Sequence, residues 1–109
     1  MFVYCIKNLI NNKVYIGQSS QQTDHRLQEH RSKLRSNVHE NIHLQRAWNK
    51  YGESNFQIEK LATTNNLDEL NKLETRFANQ FQSIDRKFGY NMRGTGDNTF
   101  MTDETKQRI

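Results

Sequence analysis

Proline is absent from the chain, and there is a single cysteine, Cys5. One cysteine excludes an internal disulfide, and it equally excludes a zinc cluster built on thiolates. Cys5 lies in an apolar run, where it reads as a small buried residue rather than a nucleophile. Low-complexity tracts and internal repeats are also missing, which leaves 109 residues to form one domain, too few for two. No signal-peptide pattern opens the chain, and no apolar run approaches membrane length. The expectation is a soluble, intracellular protein of the cytoplasm. There is no Gly-rich phosphate loop and no Ser-His-Asp pattern legible from spacing. The hydrophobic share is low, at 33%, so much of it must be inside. The net charge of +4 favours an anionic partner. Charge alone does not choose between nucleic acid and a basic surface that serves solubility.

What is present has a clear order. Phe2-Val3-Tyr4-Cys5-Ile6 is β-branched and aromatic and predicts a strand. Asn11-Asn12 marks a turn, because asparagine tolerates positive φ. Val14-Tyr15-Ile16 predicts a second strand, closed by Gly17, so the two form a hairpin. Thr23 is placed to cap a helix with Asp24 in its first turn. In that helix Leu27, His30 and Leu34 share a face, and it ends near Ser36-Asn37. A second helix runs from about Asn41 to Tyr51. Leu44, Ala47, Trp48 and Tyr51 form its apolar stripe, and Gly52 follows as a C-terminal cap. Alternation of Phe56, Ile58 and Lys60 with Gln57 and Glu59 predicts a third strand over 55–62. Asn66 with Glu69 resembles a capping box and opens a third helix whose buried stripe is Leu70, Leu73, Phe77 and Phe81. Gly89-Tyr90-Asn91-Met92 is a short extended piece, 93–98 a Gly-containing loop, and Thr102 a cap for one more helix. The order β-β-α-α-β-α predicts an α/β or α+β domain, with a small, largely antiparallel three-stranded sheet flanked by helices.

Three groups of residues are not explained by folding. Glu74 lies four residues after Leu70 and three before Phe77, inside an apolar stripe where a charge is costly. Either it sits at the stripe's edge or pairs with Arg76 or another cation, or it is aimed into a site and holds a divalent cation. Magnesium commonly takes only one or two protein carboxylates, with water and phosphate completing its shell. Arg26 and His30 stand four apart on one helix, so both project the same way. Arginine offers a fork that fits phosphate oxygens, and histidine can donate to phosphate or relay a proton. Taken alone, the pair is better explained by a solvated helix face, since Arg31, Lys33 and Arg35 share the helix. Tyr4 and Tyr15 lie on neighbouring strands, where tyrosine is also simply a good strand residue. As bases they need help, because the phenol pKa is near 10. His39 lies in the connection between the first two helices, where a functional side chain can be presented. His25 and His43 read as surface residues and Trp48 as core.

At these residues the sequence resembles the GIY-YIG nuclease family. Tyr15-Ile16-Gly17 repeats the second motif almost literally, and Phe2-Val3-Tyr4 stands for the first, with phenylalanine in place of glycine. Arg26 and His30 match the family's helix motif, and His39 matches a histidine of the homing-endonuclease branch. Leu44 to Gly52 is similar to that branch's second helix. Glu74 matches the metal-binding glutamate, and Gly89-Tyr90-Asn91 resembles the motif that ends the domain, whose asparagine supports the site. The likeness covers roughly residues 1–92. The remaining 93–109 resembles the start of a linker or DNA-binding module.

The resemblance implies a metal-dependent endonuclease that hydrolyses phosphodiester bonds of double-stranded DNA, leaving 5′-phosphate and 3′-hydroxyl ends. It implies catalytic roles for Tyr4, Tyr15, Arg26, His30 and Glu74, with Gly17, His39 and Asn91 in support. Glu74 would hold Mg²⁺, with Mn²⁺ as a possible substitute. Tyr4 would take the proton of the attacking water, with His30 as phosphate donor or proton relay and as the competing base. Both tyrosine hydroxyls are expected to point toward Glu74 and Arg26. Arg31, Lys33 and Arg35 are the expected phosphate contacts. The homing-like second helix favours a phage or mobile-element enzyme, or its catalytic domain, and the oligomeric state, a monomer included, stays open. The alternatives are a catalytically silent nucleic-acid-binding protein of the same fold, and a nuclease of repair or restriction.

Overall fold

A computed structural model describes residues 1–91. The extended piece's last residue, Met92, the tail over 93–109 and the helix expected at Thr102 lie outside the described residues. The elements are β1 (Phe2–Asn8), β2 (Val14–Ser19), α1 (His25–Arg35), α2 (Ile42–Tyr51), β3 (Phe56–Thr63) and α3 (Leu67–Phe81). A single 3-10 turn, Glu53–Asn55, leads into β3. The order is the expected one. The sheet runs β2-β1-β3, with β1 antiparallel to both neighbours. No described helix is long and apolar enough to cross a membrane.

The hairpin closes on its asparagines. Asn8 and Asn11 accept through their side chains from the backbone amides of Ile10 and Lys13, and Asn12 adopts φ 65°. β1 runs further than Ile6, because Lys7 and Asn8 stay paired with Gln57 and Phe56 of β3. At the other end, β2 does not stop at Gly17 but continues to Ser19, because Gly17, Gln18 and Ser19 stay in register with Tyr4, Val3 and Phe2.

Side chains alternate across a strand, so the sheet has two different faces. Phe2, Tyr4 and Ile6 pack with Leu34, Leu44, Ala47 and Trp48, with Tyr15 and Leu27 against them. That face is covered by α1 and α2. Val3, Cys5, Val14 and Ile16 pack with Leu70, flanked by Leu73 and Phe77. That face is covered by α3. Burial pushes the Cys5 thiol up to about 12, as befits a core residue rather than a nucleophile.

The helix ends show three departures from expectation. Thr23 does not cap α1. Asp24 occupies the cap position without a side-chain bond to the helix, and its carboxylate pairs instead with Lys60 on β3, at 2.8 Å. Asn66 caps α3 through the Glu69 amide, but Glu69 does not reach back. Its carboxylate accepts from Thr64 Oγ1, which itself receives the Asn66 N–H, so Thr64 completes the cap. Phe81, expected in the buried stripe, is exposed at the last residue of α3, where its ring stacks on Phe77.

The outer edge of β2 is closed by the segment before the end of the described chain. The amide of Val14 donates to Phe88 and that of Tyr90 donates to Val14. Asn91 then acts as a strand in miniature. Its Oδ1 accepts from the Ile16 amide at 2.8 Å, and its Nδ2 donates to the Ile16 carbonyl at 2.9 Å. Gly89 is obligatory here, because a Cβ would lie 2.2 Å from the backbone of Ser83.

Candidate active site

The β1–β2 register sets the site. Tyr4 pairs with Gly17 and Ile6 with Tyr15, so both tyrosines project from the face covered by α1. The Tyr4 ring lies over Gly17. A Cβ at position 17 would stand 2.4 Å from the Tyr4 hydroxyl and 2.5 Å from its Cζ. The glycine of the second motif thus makes room for the tyrosine of the first. Gly17→Ala is expected to cost about 1–3 kcal/mol, as overpacking of a tight interior does, and to push Tyr4 off the site. Thermal melts and cleavage assays on the variant check both effects.

One turn of α1 separates Arg26 from His30, and both hang over this face. The Tyr4 hydroxyl and His30 Nε2 are 2.5 Å apart, and His30 Nδ1 is 2.7 Å from His39 Nε2. The Tyr15 ring meets His30 and His39 edge-on, with centroids at 5.5 and 6.4 Å. A cavity of about 580 Å³ opens beside them, lined by Tyr4, Tyr15, Gly17, Gln18, Arg26 and others. Tyr15 and Arg26 also wall a smaller cavity, of about 250 Å³, together with His30, Lys33 and Glu40.

The electrostatics follow from burial and one cation. Burial, then the neighbouring Tyr15, holds the Tyr4 phenol far above its ordinary value, and the charge of Arg26 opposes this. Tyr15 is raised for the same reason. Burial works against the charge of Arg26, yet the two phenols and Glu29, 3.3 Å away, keep its guanidinium above its usual value. His30 is pushed down to about 3 by burial, with His39 and Arg26 adding to it. Burial also lowers His39, against the pull of Glu40.

These shifts set an acid limit on stability. Around His30 stand Tyr4 on β1, Tyr15 on β2, Arg26 and Lys33 on α1, and His39 and Glu40 in the connection. An unfolded chain protonates histidine near 6.5, the folded one His30 only near 3. Between those values the unfolded state binds more protons. Stability should therefore fall on acidification, by on the order of 1 kcal/mol per pH unit for this residue, and be indifferent to it above 6.5. Urea unfolding at neutral and mildly acid pH, on wild type and His30→Gln, reads this. The pH sensitivity should shrink in the variant.

Glu74 is fully buried, at 0% exposure, among Leu70 and Ala78 on the inner face of α3. That places it in the layer opposite α1, so its helix lies across the sheet from both tyrosines. The Tyr4 hydroxyl meets His30 Nε2 and is also hydrogen-bonded to Arg26, as expected, while Glu74 acts on it through its charge. Glu74 is not among the residues lining the larger cavity. Its charge is nevertheless close enough to raise both phenols. Its burial argues against a place at the stripe's edge and leaves a pairing with a cation open.

Two of the basic residues expected to meet phosphate are already paired with carboxylates. Lys33 is paired with Glu40 at 2.5 Å, and Arg35 grips Glu53 through Nε and Nη2. Arg31 has no ion pair among the described residues. Two site residues escaped the sequence reading. Gln45, buried in the α2 stripe, accepts from the His39 amide at 3.0 Å and donates to the Leu34 carbonyl. Asn41 caps α2 through the Leu44 amide and binds the Tyr90 carbonyl. A polar side chain beside Leu44 in an apolar stripe was the available signal for Gln45.

The family model of the GIY-YIG catalytic domain matches residues 1–91. The chain belongs to that family. Among solved structures, the GIY-YIG domain here is similar to the catalytic domain of the homing endonuclease I-TevI. The TM-score is 0.75 at 30% identity, over 85% of this chain and 98% of that one. A glutamate-to-alanine variant of the same catalytic domain aligns with TM-score 0.66 at 30% identity, over 83% and 90% of the two chains. In sequence, the GIY-YIG domain is 44% identical over 50 residues to intron-associated endonuclease 1 of Enterobacteria phage T4, covering 46% of this chain. It spans only 20% of that relative's length.

Proposed function

We propose that this GIY-YIG domain is a DNA endonuclease of the phage or mobile-element type, cutting double-stranded DNA by hydrolysis. The observation that carries the reading is the convergence of Tyr4, Tyr15 and Arg26 on one cavity, with His30 behind Tyr4. Mere binding of nucleic acid does not require that set. Arg26 supplies a permanent charge and a fork for a phosphate oxygen. Both nitrogens of His30 are already engaged, by Tyr4 and His39, so His30 has no free position for a water proton. Tyr4 is then the base. With Tyr4 ionised to the tyrosinate, its hydroxyl proton lost to solvent, water attacks phosphorus, the water proton passes to the Tyr4 oxygen, and the P–O3′ bond breaks. The leaving 3′ oxygen takes a proton from solvent, which yields 5′-phosphate and 3′-hydroxyl ends.

A divalent cation fits this chemistry. No group of three or more His, Cys, Asp or Glu among the described residues could hold a metal by itself, so a closed structural site is not built here. Magnesium asks for less than that, commonly one carboxylate with water and phosphate. Glu74 would be that carboxylate. Gln18 adds a buried oxygen without a donor, its amide group held by Asn71, one helical turn before Glu74, at 3.0 Å. When bound, Mg²⁺ or Mn²⁺ would stabilise charge on the phosphate and leaving oxygen.

Plasmid nicking with Mg²⁺, against the same reaction with chelator and against Arg26→Ala, tests the proposal. Cutting is expected only for wild type with metal. Binding without any cutting would make the domain a silent relative. Association with duplex DNA should weaken as salt rises, since neutralised phosphates release counterions. A small domain of this kind should show slight sequence preference, with targeting lying elsewhere in a longer enzyme. A strong preference for one long site would contradict that part of the reading.

A further inference from the structure

The hydrogen bonds behind Tyr4 have a direction that can be read from their far end. The backbone N–H of Asn41 donates to His39 Nδ1 at 3.0 Å. A backbone amide can only donate, so His39 Nδ1 carries no proton. The His39 side chain is 2% exposed, and burial keeps it neutral, so its one ring proton is on Nε2. That Nε2–H faces His30 Nδ1 at 2.7 Å, which makes His30 Nδ1 an acceptor in turn. Neutral His30 must then carry its proton on Nε2, where the neighbour is the Tyr4 oxygen at 2.5 Å. Only one proton can lie between those atoms. It belongs to His30, and the hydroxyl hydrogen of Tyr4 is directed elsewhere.

We propose that His39 is a tautomer-setting positioning residue: it transmits the fixed polarity of the Asn41 amide to His30, so that the Tyr4 oxygen always receives a hydrogen bond from the histidine pair and never gives one. The direction matters for the reaction. A tyrosinate is stabilised by a donor and destabilised by a lone pair facing it. In the reverse tautomer, His30 Nε2 would hold the hydroxyl proton of Tyr4 and favour the neutral phenol. No proton travels along the histidines in this arrangement. When the water proton reaches the Tyr4 oxygen, His30 keeps the proton it had. His30 is thereby a donor to Tyr4 rather than a relay.

The lock is anchored on three sides, which is why it holds a direction. The His39 amide donates to Gln45 Oε1, and Gln45 Nε2 donates to the Leu34 carbonyl at the end of α1 and to Asn49 Oδ1 on α2, each at 3.0 Å. Two backbone partners of opposite kind fix which way the Gln45 amide points. Asn41 is tied through its own side chain to the start of α2 and to the Tyr90 carbonyl, at 3.0 and 2.8 Å.

The inference rests on Tyr4 as the base, and its test separates the two. Two-bond ¹H–¹⁵N correlation of histidine-labelled protein near neutral pH reports each ring's tautomer without any cleavage. His30 is assigned by its loss in His30→Gln, and His39 by its loss in His39→Gln. Both rings should show the Nε2–H form in the wild type. His39→Ala should leave His30 a mixture of tautomers and lower single-turnover cleavage by about tenfold to a hundredfold, as loss of an outer-shell partner does. His39→Gln cannot titrate, but its amide N–H can donate to His30 Nδ1. It should restore the Nε2–H form of His30 and most of the rate. A wild-type His30 in the Nδ1–H form overturns the inference. So does a folded His39→Ala whose His30 stays in the Nε2–H form. So does a folded His39→Gln that keeps that tautomer and yet cuts no better than His39→Ala. If His39→Ala does not fold, the wild-type spectrum and His39→Gln still decide. Failure of the Tyr4 reading shows separately, as a Tyr4→Phe variant that cuts at the wild-type rate.

Discussion

Tyr4→Phe should lower the single-turnover cleavage rate by about 10²–10⁴-fold, the range that a positioned acid or base contributes, with DNA affinity and metal dependence nearly unchanged. The substitution keeps the ring that lies over Gly17 and removes only the oxygen. The buried His30 Nε2–H loses its acceptor, which costs about 1–3 kcal/mol of stability and leaves the domain folded. Circular dichroism of the variant verifies that. The pH profile of wild type supplies a second readout. The active form of the base is the tyrosinate, and burial holds the Tyr4 pKa above its ordinary value near 10. The rate should therefore rise with pH through neutral and alkaline solution, with no plateau around 6.5 of the kind a histidine base would give. Arg26 is the group that favours the tyrosinate, so Arg26→Lys, with its charge less well fitted, should displace the rise further upward. Near wild-type cutting by Tyr4→Phe, together with a dead His30→Ala, would transfer the role to His30.

How much of this was legible in the sequence differs from residue to residue. Tyr4 and Tyr15 were, because alternation is a property of the strand itself and one turn fixes which residues face each other. Arg26 and His30 were, because helical spacing alone puts them on one side. Glu74 was legible as a carboxylate out of place in an apolar stripe, and its complete burial agrees with that. Its layer was not legible. The pattern of α3 says that one face is buried, and nothing in it says against which side of the sheet. Thr23 and Gly17 misled for a related reason. Local rules place a cap at a threonine and a stop at a glycine. In the fold, Asp24 answers to Lys60 across the chain, and Gly17 answers to the ring of Tyr4. The polar lock around His39 was the least legible part. It depends on Gln45, Asn41, Leu34 and His30 meeting through bonds that no periodicity encodes.

Glu74→Gln should abolish metal-dependent cleavage, by about 10³-fold or more, while the domain stays folded and binds DNA at least as tightly. The size of the effect follows from the several kcal/mol of charge stabilisation that a metal supplies in phosphoryl chemistry. Glutamine keeps the length and volume of the side chain, so the packing between Leu70 and Ala78 on the inner face of α3 has little reason to change. The charge and the affinity for a hard cation are lost. Removing a negative charge whose field reaches both phenols does not weaken attraction for DNA, so fluorescence anisotropy should report a Kd equal to or below that of wild type. The same charge raises both phenols. In the variant the Tyr4 pKa should therefore come down, and whatever cleavage remains should rise with pH earlier than in wild type. A purely structural glutamate would give the opposite set: lowered thermal stability, weakened DNA binding and an unmoved pH profile. Retained Mg²⁺-dependent cutting by a folded Glu74→Gln domain would take Glu74 out of the mechanism, and the cation would then have to be held by oxygens other than this carboxylate.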